Sequence, residues 1–569
     1  MPSGAELFVG AAAQLGMDTI FTLVGDHLNE VLWEADRAGI RIVDLRHESA
    51  VTHAADAWAR IHRRPALSLV TGGPGHTNSL TGIATAHLAS SPLIAVSGSR
   101  PSRMAGRNAF QDIDQAGMAR PVVKWAAEPP DAAAIPTYLD RAYREADSGR
   151  KGAVHLTIPV DLFLAEAAPA PAVLTDRSPV RELPPEPAAS RRAIEMLRAA
   201  ERPVVIAGSG VWWGHAEIAL RDFIERTSLP LYTITMARGA IPDDHPLSMG
   251  YADPALNYAV HTAFREADLF LVIGKRIDYR LGMGGTRVFP AEARVIQIDI
   301  HAQELGLNRK LDLGICAGAR ETLEQLTQSA GAENWPERPW VERLRTLRAA
   351  WRSQLDRAAS DVSTPLHAAA FFRALLDALP DDVLYSWDGG DFAHWGRAIL
   401  PARHAGGWLR LGPLGTIGSS LPNGFALQLA HPDRPVVAIT GDGALGFYIA
   451  EMDSLVRHRL PLVLIVGNDA GWGLERELQA AAARAAAHSS SPVRTVACEL
   501  QSARYDIVMQ GFGGAGETVE RLDQVMPAIA RALAARRPYC INVKIRGGRS
   551  PFTEWQIAGK SVPLKTRQP

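Results

Sequence analysis

Cysteine is nearly absent: Cys316, Cys498 and Cys540 are the only three in 569 residues, widely spaced and without a CxxC pair. That excludes a disulfide framework and a cysteine-rich zinc site, and it points to a reducing, cytoplasmic setting. Long apolar runs are missing too. Stretches such as LFLVIG and PLVLIVG fall far below the ~20 residues that cross a bilayer. The opening MPSGAELFVGAAAQLG has no basic region followed by an apolar one, so no signal peptide is expected. Neither charge sign is in excess: 60 Lys plus Arg face 61 Asp plus Glu, for a formal net charge of −1. Without a basic face there is no electrostatic footprint for nucleic acid or an acidic membrane. Lysine is rare, and three of the seven lie between Lys544 and Lys565.

What is present is apolar residues at 47% with charged residues at 21%, a globular composition. On the usual prior of ~150 residues per domain, the length suggests three or four domains. Residues 1–165 alternate strand-like runs (DTIFTLV, RIVDLR, PALSLVTG, SPLIAVSG) with helical stretches. A Pro- and Ala-rich stretch over 166–190 reads as a linker. A second α/β unit spans 191–345, with strands RPVVIAG, LPLYTIT, LFLVIG and RVIQIDI. A charged helical stretch, Trp340–Ala359, leads to a third unit over 363–545, with strands DVLYSW, VVAIT, PLVLIVG and YCINVKI. The tail, 546–569, reads as a frayed basic end or as a lid over an anionic ligand, and its composition leaves both open. The expected fold is α/β, three doubly wound parallel-sheet domains.

The chemistry concentrates in Val436–Trp472. An apolar run ends at Gly441-Asp442-Gly443, an amphipathic stretch follows, and a second apolar run ends at Asn468, with 24 residues between Gly443 and Asn468. This reads as strand, turn, helix, parallel strand. It sets an Asp and an Asn side by side at the strand ends where open α/β sheets bind ligands. Mg²⁺ takes about six hard oxygens, shared between protein carboxylates and substrate phosphates. Asp442 and Asn468 supply two, and the backbone carbonyl of Ala470 is a third candidate. Asp-Gly alone is a turn signal and Asn468 alone a cap; the whole pattern carries the metal reading. Gly441 and Gly443 let the backbone approach phosphates, with N–H groups offered by a helix opening near Ala444 and Leu445.

This segment resembles the diphosphate-binding signature of thiamine-diphosphate enzymes. The resemblance implies a Glu after an early strand, and Glu48 follows RIVDLR at the start of a helical run to Arg60. On residue chemistry alone Glu48 is a first-turn carboxylate favoured by the helix dipole. By resemblance it bonds the cofactor's aminopyrimidine ring. Ile417, in GPLGTIG, corresponds to the apolar wedge beneath the cofactor, with Gly415 beside it. Gly25 and Asp26 (with His27), Gly73, His76 and Asn78 in TGGPGHTN, and Gln111 in FQD are implied to line the pyrimidine side. Trp472 is implied on the diphosphate side. Pyruvate-decarboxylase-like members carry an adjacent His-His pair, which is absent here.

ARYD followed by FGG-x-G, beyond Glu499, is similar to the 2-hydroxyacyl-CoA lyase and oxalyl-CoA decarboxylase branch. FTLVGDHLNEV and the stretch from RHESAV to TGGPGHTNSLTG resemble actinobacterial 2-hydroxyacyl-CoA lyases, including the 2-hydroxyisobutyryl-CoA type, whose ketone product would be acetone. The implied reaction cleaves an acyl-CoA substrate to formyl-CoA and an aldehyde or ketone. Glu48, Glu499, Gln111 and His76 are the catalytic candidates, Glu499 as base for the 2-hydroxyl. The implied cofactors are thiamine diphosphate and Mg²⁺. An ADP or CoA adenosine moiety would sit in the central unit on Gly210, Arg276, Asp299 and Ile300, where FAD is not excluded. A homodimer or homotetramer is implied, since in the family the Glu of one subunit serves its partner's cofactor. Two other readings stand: an acetolactate-synthase-like carboligase on 2-oxo acids, and a non-catalytic nucleotide-binding scaffold.

Overall fold

A computed structural model describes residues 1–168, 182–331, 335–487 and 493–560. Residues 169–181 of the predicted linker, and residues 561–569 of the tail with Lys565, lie outside the described residues.

Three six-stranded parallel sheets follow one another along the chain. The first contains β1 (Thr19–Leu23), β2 (Arg41–Asp44), β3 (Ala66–Val70), β4 (Leu93–Ser99), β5 (Ala126–Ala127) and β6 (Val154–Pro159). The second contains β7 (Pro203–Ala207), β8 (Leu231–Thr233), β9 (Ser248–Tyr251), β10 (Leu269–Ile273), β11 (Arg294–Asp299) and β12 (Leu313–Cys316). The third contains β13 (Leu384–Trp387), β14 (Trp408–Arg410), β15 (Val436–Gly441), β16 (Val463–Asn468), β17 (Ala515–Val519) and β18 (Tyr539–Lys544). The α/β class with three parallel sheets is as expected from the sequence.

Strand order separates the units into two kinds. The first sheet runs β2-β1-β3-β4-β6-β5 and the third β14-β13-β15-β16-β18-β17, the same order when each is numbered from its own first strand. The second runs β9-β8-β7-β10-β11-β12, the 3-2-1-4-5-6 order of dinucleotide-binding folds, whose ligand lies where the order reverses. Here the reversal falls between β7 and β10, paired Leu269↔Pro203 to Ile273↔Ala207. The interior strands β3, β7 and β10 are buried along their whole length, as helices on both faces of a parallel sheet require.

Several elements depart from the sequence reading. β6 is wholly buried yet was not foreseen, nor were β5, β9, β12, β14 and β17. The helix expected after Gly443 is broken: a single turn, Asp442–Leu445, is followed only later by a helix over Glu451–Arg457. A helix, Pro187–Ala199, opens within the stretch read as linker. The described part of the tail is also ordered. A helix over Pro551–Lys560 follows Ser550, whose N–H donates to Asp391 Oδ1 (2.9 Å), and Thr553 Oγ1 donates to the same atom (2.5 Å).

The first and third units share one core: Val51, Ala54 and Ile83 pack in the same hydrophobic cluster as Leu421, Phe425 and Leu455. Polar contacts reinforce it, with Ser49 Oγ 2.7 Å from Tyr448 Oη and the Arg46 N–H donating to the Glu451 carboxylate at 3.1–3.2 Å.

Candidate active site

The carboxyl edge of the third sheet carries a pocket enclosing about 840 Å³. Asp442 follows β15 directly and is 2% exposed. Its two oxygens accept only backbone N–H groups, from Gly443 (3.0 Å) and Gly471 (3.1 Å). Burial, with the Asp469 carboxylate nearby, pushes its pKa up to about 7. A carboxylate so placed is short of positive charge. Asn468 ends β16, 2% exposed. Its Nδ2 donates to Ala503 O (2.9 Å) and Asn542 Oδ1 (3.0 Å), which fixes the amide orientation and turns Oδ1 toward the Ala470 N–H (3.3 Å). Ala470 sits at φ 53°, uncommon for a residue with a Cβ. One lone pair of its carbonyl takes the Leu500 N–H at 2.7 Å. No group of three or more His, Cys, Asp or Glu side chains is arranged for a metal among the described residues. A divalent ion here would draw on one carboxylate, one amide, a backbone carbonyl and a ligand's oxygens.

Gly441, Gly443, Ala444, Ile417 and Trp472 line the same pocket. Gly441 and Gly390 face open space where a Cβ would stand, so a ligand can reach the backbone. Trp472 covers Gly443, at which a Cβ would lie 2.8 Å from the indole. Gly415 does not line the pocket but turns at φ +79° two residues before Ile417. Leu445 differs from the expectation: it is 1% exposed and belongs to the shared core. With only one helical turn at Asp442–Leu445, the segment offers individual N–H groups and not the summed dipole of a long helix.

The first sheet presents a second cluster at its own carboxyl edge. Glu48 opens the helix Glu48–His62, whose cap is His47: its Nδ1 accepts the Ser49 N–H (3.1 Å). Asn78 Nδ2 donates to Glu48 Oε2 (3.0 Å). Gly73, at φ +61°, leads into the helix Pro74–Leu88 with the Gln111 side chain against it; a Cβ there would lie 2.7 Å from Gln111 Cγ. Gly25 abuts Thr71, and Asp26 beside it is exposed, with a 72% exposed side chain. His76 corrects the sequence reading. It is 0% exposed, with Nδ1 3.1 Å from Ser97 Oγ, and burial pushes its pKa down to about 4. This neutral, enclosed imidazole packs the loop from behind, with its Nε2 left unpaired among the described residues.

The third cluster surrounds the strand-order reversal of the central sheet. Gly210, Arg276, Asp299 and Ile300 all line one cavity of about 1270 Å³. It runs on to Arg410, Leu411, Gly412 and Pro413, just upstream of Ile417. Arg60, Arg150, Lys151, Lys275, Arg280 and Arg410 contribute cations to its lining. Asp299 ends β11 and accepts the His301 N–H (2.9 Å); burial raises its pKa. Arg276 donates to Leu88 O (2.7 Å).

Family models match each of the three units. The descriptions "Thiamine pyrophosphate enzyme, N-terminal TPP binding domain", "central domain" and "C-terminal TPP binding domain" match residues 2–118, 190–326 and 388–543. The chain belongs to the thiamine-diphosphate enzyme family. It is 35% identical to a "Probable acetolactate synthase" of Mycobacterium bovis, with 93% of each chain covered. It is 31% identical to "2-hydroxyacyl-CoA lyase 2" of Caenorhabditis elegans, covering 98% of this chain and 91% of that one. It is also 31% identical to "2-hydroxyacyl-CoA lyase" of Oryza sativa subsp. japonica, covering 95% of each.

For a thiamine-diphosphate enzyme, this edge fits a magnesium diphosphate: the pocket offers one cation-deficient carboxylate and glycines facing open space, and Asn468 and Ala470, outside its lining, stand at the strand end beside it. None of the first-unit candidates lines that pocket, so within one chain the two clusters are separate. Glu499 lies beside the metal loop through an antiparallel bridge to Gly471. Its side chain is 65% exposed, and Oε2 accepts from Arg476 Nη1 (3.2 Å).

Three supporting residues escaped the sequence reading. Asp388, fully buried after β13, accepts from Gly389 N (2.8 Å), Gly418 N (3.0 Å), Ser420 Oγ (2.9 Å) and Thr440 Oγ1 (3.1 Å). It ties the Ile417 loop to the strand that delivers Asp442. Its signal was legible, an Asp-Gly at the end of an apolar run, as at Asp442. Gln115 accepts the Gly73 N–H (2.8 Å) and donates to Gly98 O (3.0 Å), clamping the loop behind Glu48. Asp469, paired with Arg476, adds negative charge beside Asp442. Among the described residues, no helix is long and apolar enough to cross a membrane.

Proposed function

We propose that this thiamine-diphosphate enzyme is a lyase that breaks the C1–C2 bond of a 2-hydroxyacyl-CoA, giving formyl-CoA and an aldehyde or ketone. The observation that carries this reading is the central cavity. It joins a nucleotide-type strand edge at Asp299 to the Gly412–Ile417 loop of the third unit, and its inner end is lined by guanidinium groups. Guanidinium groups suit the phosphates of a thioester of CoA, and equally the diphosphate of a flavin dinucleotide, so product and flavin assays separate the two. Arg276, Asp299, Ile300 and Gly210 hold the adenosine diphosphate part of the acyl-CoA in this proposal.

Asp442, Asn468 and the Ala470 carbonyl hold Mg²⁺, and the backbone at Gly441, Gly443 and Ala444 accommodates the diphosphate. Ile417 supports the cofactor from below, and Glu48 bonds its aminopyrimidine. When bound, thiamine diphosphate supplies the carbanion and the electron sink. Glu499 takes the 2-hydroxyl proton on its carboxylate, which now accepts from Arg476. The separation of the two half-sites supports a homodimer, or a dimer of dimers, in which Glu48 of one protomer meets its partner's magnesium site. The three free cysteines accord with a cytoplasmic setting.

A second reading, a carboligase of 2-oxo acids, is favoured by the 35% identity to a protein named acetolactate synthase. Mass spectrometry on a panel of 2-hydroxyacyl-CoA esters, with thiamine diphosphate and Mg²⁺, decides between them. The lyase reading expects formyl-CoA from at least one ester. A yellow, flavin-bearing protein that makes acetolactate from pyruvate and no formyl-CoA would replace it with the carboligase.

A further inference from the structure

We infer a buried oxyanion site where the central unit meets the third, built from Arg280, Arg397 and Arg410 and suited to a doubly charged phosphoryl group. Arg397 lies on the helix Gly390–Ile399 and is 2% exposed, yet none of its three guanidinium nitrogens has a hydrogen-bond partner among the described residues. Arg410 ends β14 at 9% exposure; its Nη1 donates to Tyr251 Oη (2.5 Å), and its Nε is unpaired. Arg280 donates to Asp253 (3.0 Å), a carboxylate 1% exposed. The adjoining Arg238–Asp243 pair is buried and neutralises itself.

The local charge does not balance. Arg397 is within Coulombic range of Arg410, Arg280 and Asp253. Three guanidinium groups therefore share one carboxylate, leaving an excess of two positive charges. His394, in the same cluster, offers no relief: surrounded by these arginines and buried, it stays neutral, with Nδ1 unpaired and its ring 4.1 Å from Phe552. Burial and Arg410 push Arg397 down only to about 9, so it is charged at neutral pH. Buried charge persists when it is paired and hydrogen-bonded, and the partner that fits two surplus charges and several N–H forks is a tetrahedral oxyanion. The central cavity reaches Arg280 and Arg410, though Arg397 is not in its lining, so an entering oxyanion meets those two first. The source is either free phosphate or a phosphate of a nucleotide in that cavity. The inference rests on this cluster and not on the substrate proposed above.

The test is thermal denaturation of the full chain in phosphate-free buffer at constant ionic strength, with thiamine diphosphate and Mg²⁺ in excess to fill the diphosphate pocket. Inorganic phosphate should raise Tm saturably, by about 2 °C at 100-fold excess over Kd, and Arg397→Met should abolish the rise. Repeating the titration with ADP present identifies the source: competition assigns a nucleotide phosphate, and additivity a separate phosphate. Should Arg397→Met fail to fold, Arg397→Lys and equilibrium dialysis of wild type with radiolabelled phosphate replace it; one phosphate per chain, weakened at least tenfold in the lysine variant, is expected. No phosphate-specific rise in wild type, or an equal rise in Arg397→Met, overturns the site.

Discussion

Two cavities open at the carboxyl ends of two parallel sheets, and their charges are opposite. Asp391, Asp442, Asp469 and Glu475 outnumber Arg546 in the lining of the third-unit pocket, whereas seven arginines and lysines outnumber four carboxylates in that of the central cavity. If both take a diphosphate, they solve one electrostatic problem in two ways. The acidic pocket repels phosphate until a divalent cation intervenes, which makes ligand and metal obligate partners. The cationic cavity needs no metal, because guanidinium forks bind phosphate directly. Strand topology alone does not set this difference, since both pockets sit at comparable strand ends; the residues just past those ends do.

The largest effect that would sharpen the contrast concerns a carboxylate on the acidic side that is given a chemical task. Glu499→Gln should lower lyase turnover by roughly 10²–10⁴-fold and leave calorimetric thiamine diphosphate affinity unchanged; wild-type turnover would remove Glu499 from the reaction. Next, Asp442→Asn should weaken Mg²⁺-dependent thiamine diphosphate binding by more than the ~10–100-fold typical of an outer-shell partner. ADP binding in the central cavity should be untouched by the same change and insensitive to chelator. If EDTA weakened ADP binding as much as thiamine diphosphate binding, the two-solution picture would fail.

Arg276→Ala is the converse probe. It should weaken ADP or CoA binding by roughly 10–100-fold, as expected for one charged hydrogen-bonding partner, with thiamine diphosphate binding unaffected. The pH dependence follows from Asp442. Its folded pKa, about 7, lies above the unfolded value of about 3.9, so the native state holds the extra proton. The metal-free protein therefore loses this contribution as pH rises from about 4 to 7. Mg²⁺ must displace that proton, so its affinity should climb about tenfold per pH unit below 7 and level off above. A flat Mg²⁺ affinity between pH 5 and 7 would show that Asp442 is already ionised. The smallest effect is Gln115→Ala, which strands the Gly73 N–H and should cost about 1–3 kcal/mol in denaturant unfolding.

Much of this was readable in the chain because the signals are local. Apolar runs such as LFLVIG and PLVLIVG became interior strands, and the Asp442 and Asn468 positions follow from where two such runs stop. The strands that escaped are mostly short or lie at sheet edges, where burial is partial and periodicity weak: β17 and β12 are only partly buried. β6 escaped although fully buried, for its polar His155 and Thr157 interrupt the apolar pattern and pair with each other (2.9 Å). The burial of His76 was hidden for a related reason. A histidine after a strand looks like a site residue, and only packing reveals that Ser97 and His155 enclose it.

By itself the sequence determined the α/β class and the residue types at each strand end, because hydrophobic periodicity and turn chemistry act over a few residues. It also placed Asp442 and Asn468 at neighbouring strand ends, with the spacing of one strand–helix–strand unit. Tertiary structure alone decided the rest: the dinucleotide-type strand order of the central unit, the joint core of the first and third units, the separation of Glu48 from Asp442, and the gathering of Arg280, Arg397 and Arg410. Those outcomes depend on contacts between segments tens to hundreds of residues apart, and local patterning carries no information about which distant side chains, or which charges, will be buried together.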